Sequence, residues 1–219
     1  MRDLKIFIGW DPREIEAYEV LKYSIERHAS EKLQIYPLRL KALQTLGLFT
    51  RDPREGTTEF SMTRFLVPYL CNYQGTSIFI DCDMLVKTDI LELLPYLGTF
   101  HDVAVCQHDY VPKTEIKATG IQTNYPKKNW SSLMVFNNEK CKILTPDYVN
   151  SGHPSTLHRF NWAKDIGRIP LEYNWLVGEY DHNDNAKILH YTLGTPCFPE
   201  YANCDHSEEW HFEKEILGI

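Results

Sequence analysis

The stretch SIFIDCDMLVKTDI, residues 77–90, decides how this chain is read. Ser77–Ile80 is a short apolar run of the kind that forms a buried strand, and Met84-Leu85-Val86 is apolar again. Between them stand Asp81 and Asp83, separated by Cys82. Burying a carboxylate is costly unless something pairs with it. On an extended chain residues i and i+2 face the same way, so the two acids share one partner if the backbone stays extended. A divalent cation is the natural one, because oxygen ligands suit magnesium and manganese. A plainer reading has one Asp capping a turn and the other in solvent.

Working outward, the segments on either side alternate in type. Lys5–Gly9 reads as a first strand, and DPRE opens a helix with Asp11 as N-cap, Pro12 at its first position and Glu14 three residues on. Ile15, Tyr18, Leu21, Ile25 and His28 mark one face of that helix, and Leu33–Leu38 is a second strand. A β-α-β opening predicts an α/β fold, Rossmann-like, around a central, mostly parallel sheet. Residues 41–59 read as a surface loop, followed by a helix over Glu59–Cys71 bent at Pro68. Further strands are expected at Val103–Gln107, Ser131–Asn137 and Ala186–Thr192, with short helices near Thr88 or Asp89, at Thr145-Pro146 and at Ser155. Ser207–Leu217 reads as an amphipathic C-terminal helix anchored by Trp210, Phe212 and Ile216. With no repeat or linker, residues 1–219 are expected to form one domain.

Composition narrows the partners. A formal charge of −7 argues against nucleic acid, whose phosphates call for a basic face. No apolar run is long enough to span a membrane, and the N-terminus lacks a signal-peptide core. Six scattered cysteines without a C-x-x-C pair fit reduced thiols in a cytoplasmic protein. Cys197, Cys204 and His206 match no common zinc spacing.

Four segments, in this order, resemble family-eight glycosyltransferases and related short bacterial or viral sequences with the GT-A fold: KIFIGWDPREIEAYEVLKYSI, FSMTRFLVPYL, SIFIDCDMLVKTDI and ILHYTLGTPCF, together spanning roughly residues 4–198. The resemblance implies transfer of a hexose from a nucleotide sugar, UDP-linked, to a glycan, lipid-linked or small hydroxyl acceptor, with retention of configuration. It implies metal ligation by Asp81, Asp83 and His190, and the mixed oxygen and imidazole set favours Mn2+ over Mg2+. Gly9, Trp10, Asp11, Arg64, Asp81, Ser131 and Gly194 fall where such enzymes contact the nucleotide sugar. For Trp10 and Asp11 the alternative is a wall residue and an N-cap.

The chain departs from the family pattern in three places. His190 is followed by Gly194 one residue late and by no diphosphate-binding lysine. Asn129-Trp130-Ser131-Ser132 stands where the family has F-N-A-G. The usual D-Q-D has no counterpart nearer than LHRFNW, residues 157–162. Asp109 and Glu179, in aromatic-rich segments, are the carboxylates expected to act as catalytic base or cation stabiliser. Two other readings of the paired aspartates stand beside this one: a haloacid-dehalogenase-like phosphatase using Asp81 as nucleophile, and a nucleotide-sugar-binding domain without turnover.

Overall fold

The computed structural model describes residues 4–52, 56–114, 116–118, 120–121 and 125–219; Pro53–Glu55 of the expected 41–59 loop lie outside them. Among the described residues, eleven strands follow in chain order: β1 (Leu4–Gly9), β2 (Gln34–Leu38), β3 (Thr76–Ile80), β4 (Met84–Val86), β5 (Val103–Cys106), β6 (Ile116–Lys117), β7 (Gly120–Ile121), β8 (Leu133–Asn137), β9 (Ile166–Ile169), β10 (Trp175–Leu176) and β11 (Ile188–His190). The α-helices are α1 (Ile15–His28), α2 (Leu40–Thr45), α3 (Val67–Leu70), α4 (Pro146–Ser151), α5 (Pro154–His158) and α6 (Ser207–Leu217).

The central sheet has the order β2-β1-β3-β8-β5-β9. It is mostly parallel, with β8 antiparallel to both its neighbours. Strands β3, β5 and β8 are almost wholly buried, which is why they read as continuous apolar runs rather than as alternation. Pro37 is tolerated in β2 because β2 is an edge strand. A second, three-stranded sheet has the order β10-β11-β4.

Helix α1 joins the two sheets. Its Tyr18, Leu21 and Ile25 belong to the main core, and its Val20 belongs to a second cluster with Leu85, Leu189, Tyr191 and Trp210. Helix α6 is tied to α1 by Lys214–Glu16 at 2.7 Å and by the Arg27–Glu213 pair.

Several expectations need correction. Asp11 does not cap α1. Its carboxylate accepts from the Arg13 N–H at 3.0 Å, an Asx turn, and from the Glu59 N–H at 3.1 Å, and the helix begins at Ile15. Ile15 is exposed, so the buried face starts at Ala17 and Tyr18. The loop expected from 41 holds α2, whose burial rests on Leu40 and Leu43 alone, too few positions to show a period. The helix expected over Glu59–Cys71 is a 3-10 turn, Thr63–Leu66, followed by α3 with Pro68 in its first turn, where a missing N–H costs nothing. Strand β9 forms where the sequence shows no strand pattern; it is four residues long and carries Gly167, where a Cβ would lie 2.7 Å from His101. The C-terminal helix has its expected bounds but a different face: Trp210 is fully buried, whereas Phe212 and Ile216 are exposed. Residues two apart point about 200° apart on a helix, so Trp210 and Phe212 cannot share an anchor stripe.

Trp210→Ala is expected to cost about 3–5 kcal/mol in urea unfolding, and Phe212→Ala about 0.5 kcal/mol or less. Equal losses would contradict the assignment of the buried face.

Candidate functional site

The backbone explains how two acids at the end of a core strand meet a distant histidine. After Ile80 the chain leaves the central sheet, turns at Cys82-Asp83 and enters the small sheet as β4. The backbone is therefore not extended through the pair. Cys82 is buried inside the turn, its thiol facing Glu14 at 3.9 Å and its pKa raised well above normal by burial and then by Glu14. Strand β4 pairs antiparallel with β11 so that Met84 stands opposite His190, and the Tyr191 N–H donates to the Asp83 carbonyl at 2.9 Å. That register delivers His190 to Asp83, with Nε2 3.4 Å from Oδ1. One ligand atom each from Asp81, Asp83 and His190 lie within 4.8 Å of one another.

The supporting residues fix this group. His190 Nδ1 pairs with Asn174 Oδ1 at 2.8 Å, Asn174 Nδ2 donates to Ser132 Oγ at 2.9 Å, and Ser132 Oγ donates to the Asn129 carbonyl at 2.7 Å. A proton on Nδ1 leaves the Nε2 lone pair facing the carboxylates, as a metal ligand requires. Asp81 is oriented from the other side by Arg64, whose Nη1 lies 2.8 Å from Oδ1. Arg64 is buried; it donates to the carbonyls of Ser131 and Phe60 and lies over the Phe79 ring. These contacts hold Arg64 in place while it lines the cavity beside Asp81. Two carboxylates and an imidazole nitrogen form a donor set that fits a divalent cation with some transition-metal character.

The group opens into a cavity of ≈ 390 Å³ whose walls include Arg64, Tyr125, Asn129, His158, Arg159 and Thr192. Ser131 and Glu14 also reach it. The His158 imidazole, bonded through Nδ1 to Ser131 Oγ, has its pKa pushed down to about 3 by burial and then by the charge of Arg64. Burial, and then His190, push the His108 imidazole down to about 3 as well. Both rings are neutral near pH 7, so neither adds positive charge beside Asp81, Asp83 and His190.

Other expected residues lie elsewhere. Gly9, Trp10 and Asp11 are absent from the cavity lining. Gly9 is required by packing, since a Cβ would lie 2.6 Å from the Phe60 ring, and Trp10 lies beneath Arg39. Burial raises the Asp11 carboxyl, but the bonds from Arg13 and Glu59 outweigh it and hold the pKa below normal. A Cβ on Gly194 would meet Tyr201 at 2.4 Å, so this glycine too is explained by close packing and does not reach the cavity. Asp109 is exposed and lines a separate surface depression with Tyr110 and Lys128. Glu179 is buried and accepts from the Lys113 N–H at 2.8 Å. Neither carboxylate lines the cavity of Asp83. Nothing in the sequence around Asn174 marks it as part of the site; only the β10–β11 pairing shows its purpose.

A protein of Arabidopsis thaliana, Protein CDI, is 40% identical over 225 residues, covering 98% of this chain and 87% of that protein. The chain belongs to the CDI family. No protein-family profile matches it. Among solved structures, the CDI-family chain superposes on the glycosyltransferase GlyE of Streptococcus pneumoniae TIGR4 with a TM-score of 0.65 at 14% identity, covering 97% of this chain and 61% of that one. The bifunctional glycosyltransferase WbbM gives 0.63 at 17% identity, covering 96% and 49%. The galactosyltransferase LgtC, solved with donor and acceptor sugar analogues, gives 0.60 at 11% identity, covering 98% and 96%. The chain thus spans about half the length of the WbbM chain and three-fifths of GlyE. The fold is that of the GT-A glycosyltransferases.

Asn174→Ala is expected to lower Mn2+ affinity about 10- to 100-fold, read by calorimetry, with the far-UV circular dichroism unchanged. Unchanged affinity would show that Asn174 does not orient a metal-binding His190.

Proposed function

We propose that this protein is a metal-dependent glycosyltransferase of the family-eight type, transferring a hexose from a UDP-linked sugar to a hydroxyl acceptor with retention of configuration. The observation that carries the reading is the convergence of Asp81, Asp83 and His190 on the wall of a cavity in a GT-A fold. Transfer breaks the bond between the anomeric carbon and the diphosphate and forms one to the acceptor oxygen, and the nucleoside diphosphate leaves with added negative charge. A divalent cation, Mn2+ in first place and Mg2+ in second, supplies Lewis-acid stabilisation of that charge when bound.

The chain's own residues set the stage for it. Asp81, Asp83 and His190 Nε2 are the ligands. Arg64 keeps Asp81 turned towards them, and Asn174 keeps His190 in the required tautomer. The family's lysine is missing, but Arg159 lines the same cavity and is exposed, so its guanidinium is available to the diphosphate. Asn129, Ser131 and Thr192 offer hydroxyl and amide groups to the sugar, and Tyr125 offers a ring face. A retaining transfer in which the leaving phosphate takes the acceptor proton needs no carboxylate base in the cavity, consistent with Asp109 and Glu179 lying outside it. For the acceptor, the half-buried rings of Tyr110 and Tyr180, 5.8 Å between centroids and backed by the buried His108, form an aromatic surface of the kind that stacks on sugars.

Incubation with UDP-glucose, UDP-galactose and UDP-N-acetylglucosamine plus Mn2+ is expected to release UDP from at least one donor. EDTA should abolish the release, and Asp83→Asn should reduce it about 100-fold or more, the scale of losing one charge-stabilising contact. Magnesium-dependent phosphate release from simple phosphomonoesters, with donors untouched, would point to the phosphatase chemistry and overturn this reading. Metal-dependent UDP binding without release from any donor would mark a binding domain instead.

A further inference from the structure

A second cluster of ligating groups lies away from this cavity, where helix α6 begins. His182, Asp205 and His206 each offer one ligand atom within 4.8 Å of the others. His182 Nδ1 stands 2.7 Å from Asp205 Oδ1, and Asp205 Oδ2 stands 3.7 Å from His206 Nε2. The two imidazole rings are stacked, 4.3 Å between centroids and 10° from parallel.

Three further observations single this cluster out. The His206 side chain is fully buried, yet its Nε2, aimed at Asp205, has no hydrogen-bond partner among the described residues. The far nitrogen of each ring is held by a carboxylate: His206 Nδ1 by Glu209 at 2.9 Å and His182 Nε2 by Asp184 at 3.1 Å. Paired histidines with a carboxylate behind each are the support that metal-ligating imidazoles receive, because it fixes the tautomer and raises ligand basicity. His206 also has φ 58, a left-handed backbone that a non-glycine residue adopts at a cost and that here places its ring beside His182.

We propose that His182 Nδ1, an Asp205 carboxylate oxygen and His206 Nε2 form a zinc site, distinct from the Asp81–Asp83–His190 group. Two imidazoles and one carboxylate suit Zn2+, which draws such ligands in to about 2.0–2.2 Å, with water in the fourth position facing the open groove beside Lys87 and Glu209. His182 lies in the loop after β10 and His206 immediately precedes α6, so the ion fastens the start of α6 to the small sheet that carries His190. The ligands come from segments 23 positions apart, which hides them from any local motif.

The test uses the full chain carrying Asp83→Asn, so that zinc cannot use the first group, stripped with chelator and titrated with Zn2+ alone by calorimetry. One Zn2+ per chain is expected, and a hundredfold excess over Kd should raise Tm by about 5–10 °C. Adding His182→Gln, at a side chain 55% exposed and therefore tolerated by the fold, should weaken binding at least tenfold and remove the Tm shift. Glu209→Gln, behind His206, should weaken it about 10- to 100-fold. No Zn2+ uptake by the Asp83→Asn chain, or equal affinity with and without His182→Gln, would overturn the proposal. Neither result depends on donor turnover, so the zinc site and the transferase reading stand or fall separately.

Discussion

The antiparallel pairing of β4 with β11 is the constraint on which the rest depends. It is short, three residues on each strand, but it is extended by the Tyr191 N–H to the Asp83 carbonyl at 2.9 Å. A slip of one residue would turn His190 to the opposite face of the small sheet and leave Asp83 without its neighbour, because side chains alternate strictly along a strand. The register is held by apolar burial on both partners: Leu85 and Leu189 face each other and pack with Trp210 and Val20 in the second core cluster. The hydrophobic packing of α6 and α1 against the small sheet thus fixes the geometry of polar atoms on its other side.

The polar centre in turn shows how a fold keeps charge inside. Asp81 and Asp83 retain only modest side-chain exposure, 13% and 19%, and His190 is nearly inaccessible. Arg64 supplies a positive charge to Asp81 and is itself held by two carbonyls and an aromatic face, contacts that offset its own desolvation. Such a centre is preorganised: the groups that would bind a cation are already oriented by Asn174, Ser132 and Arg64 before any ligand arrives.

Much of this was legible in the chain. The alternation of apolar runs with a helical period gave the α/β class, and the D-x-D at the end of a buried strand marked the centre of the site. The histidine was reachable only through the resemblance, since nothing local to residues 188–190 distinguishes a ligand from a core histidine. Elements defined by one or two buried positions, such as α2, β9 and β10, were not visible, because so few residues cannot display a period. Gly9 and Gly194 illustrate a different difficulty. Each sits in a segment resembling a ligand-binding motif, yet the close approach of Phe60 and Tyr201 explains why no side chain is allowed there. Asn174 and the His182–His206 pair escaped because their significance is a matter of tertiary neighbours and not of spacing.

The most direct test of the account is calorimetric titration of the protein with UDP, GDP, CDP and ADP, each with and without Mn2+. The account predicts that UDP binds with Mn2+ present, does not bind measurably in its absence, and is lost in the Asp83→Asn chain. Binding of no nucleotide under any condition, or UDP binding indifferent both to Mn2+ and to Asp83, would contradict it.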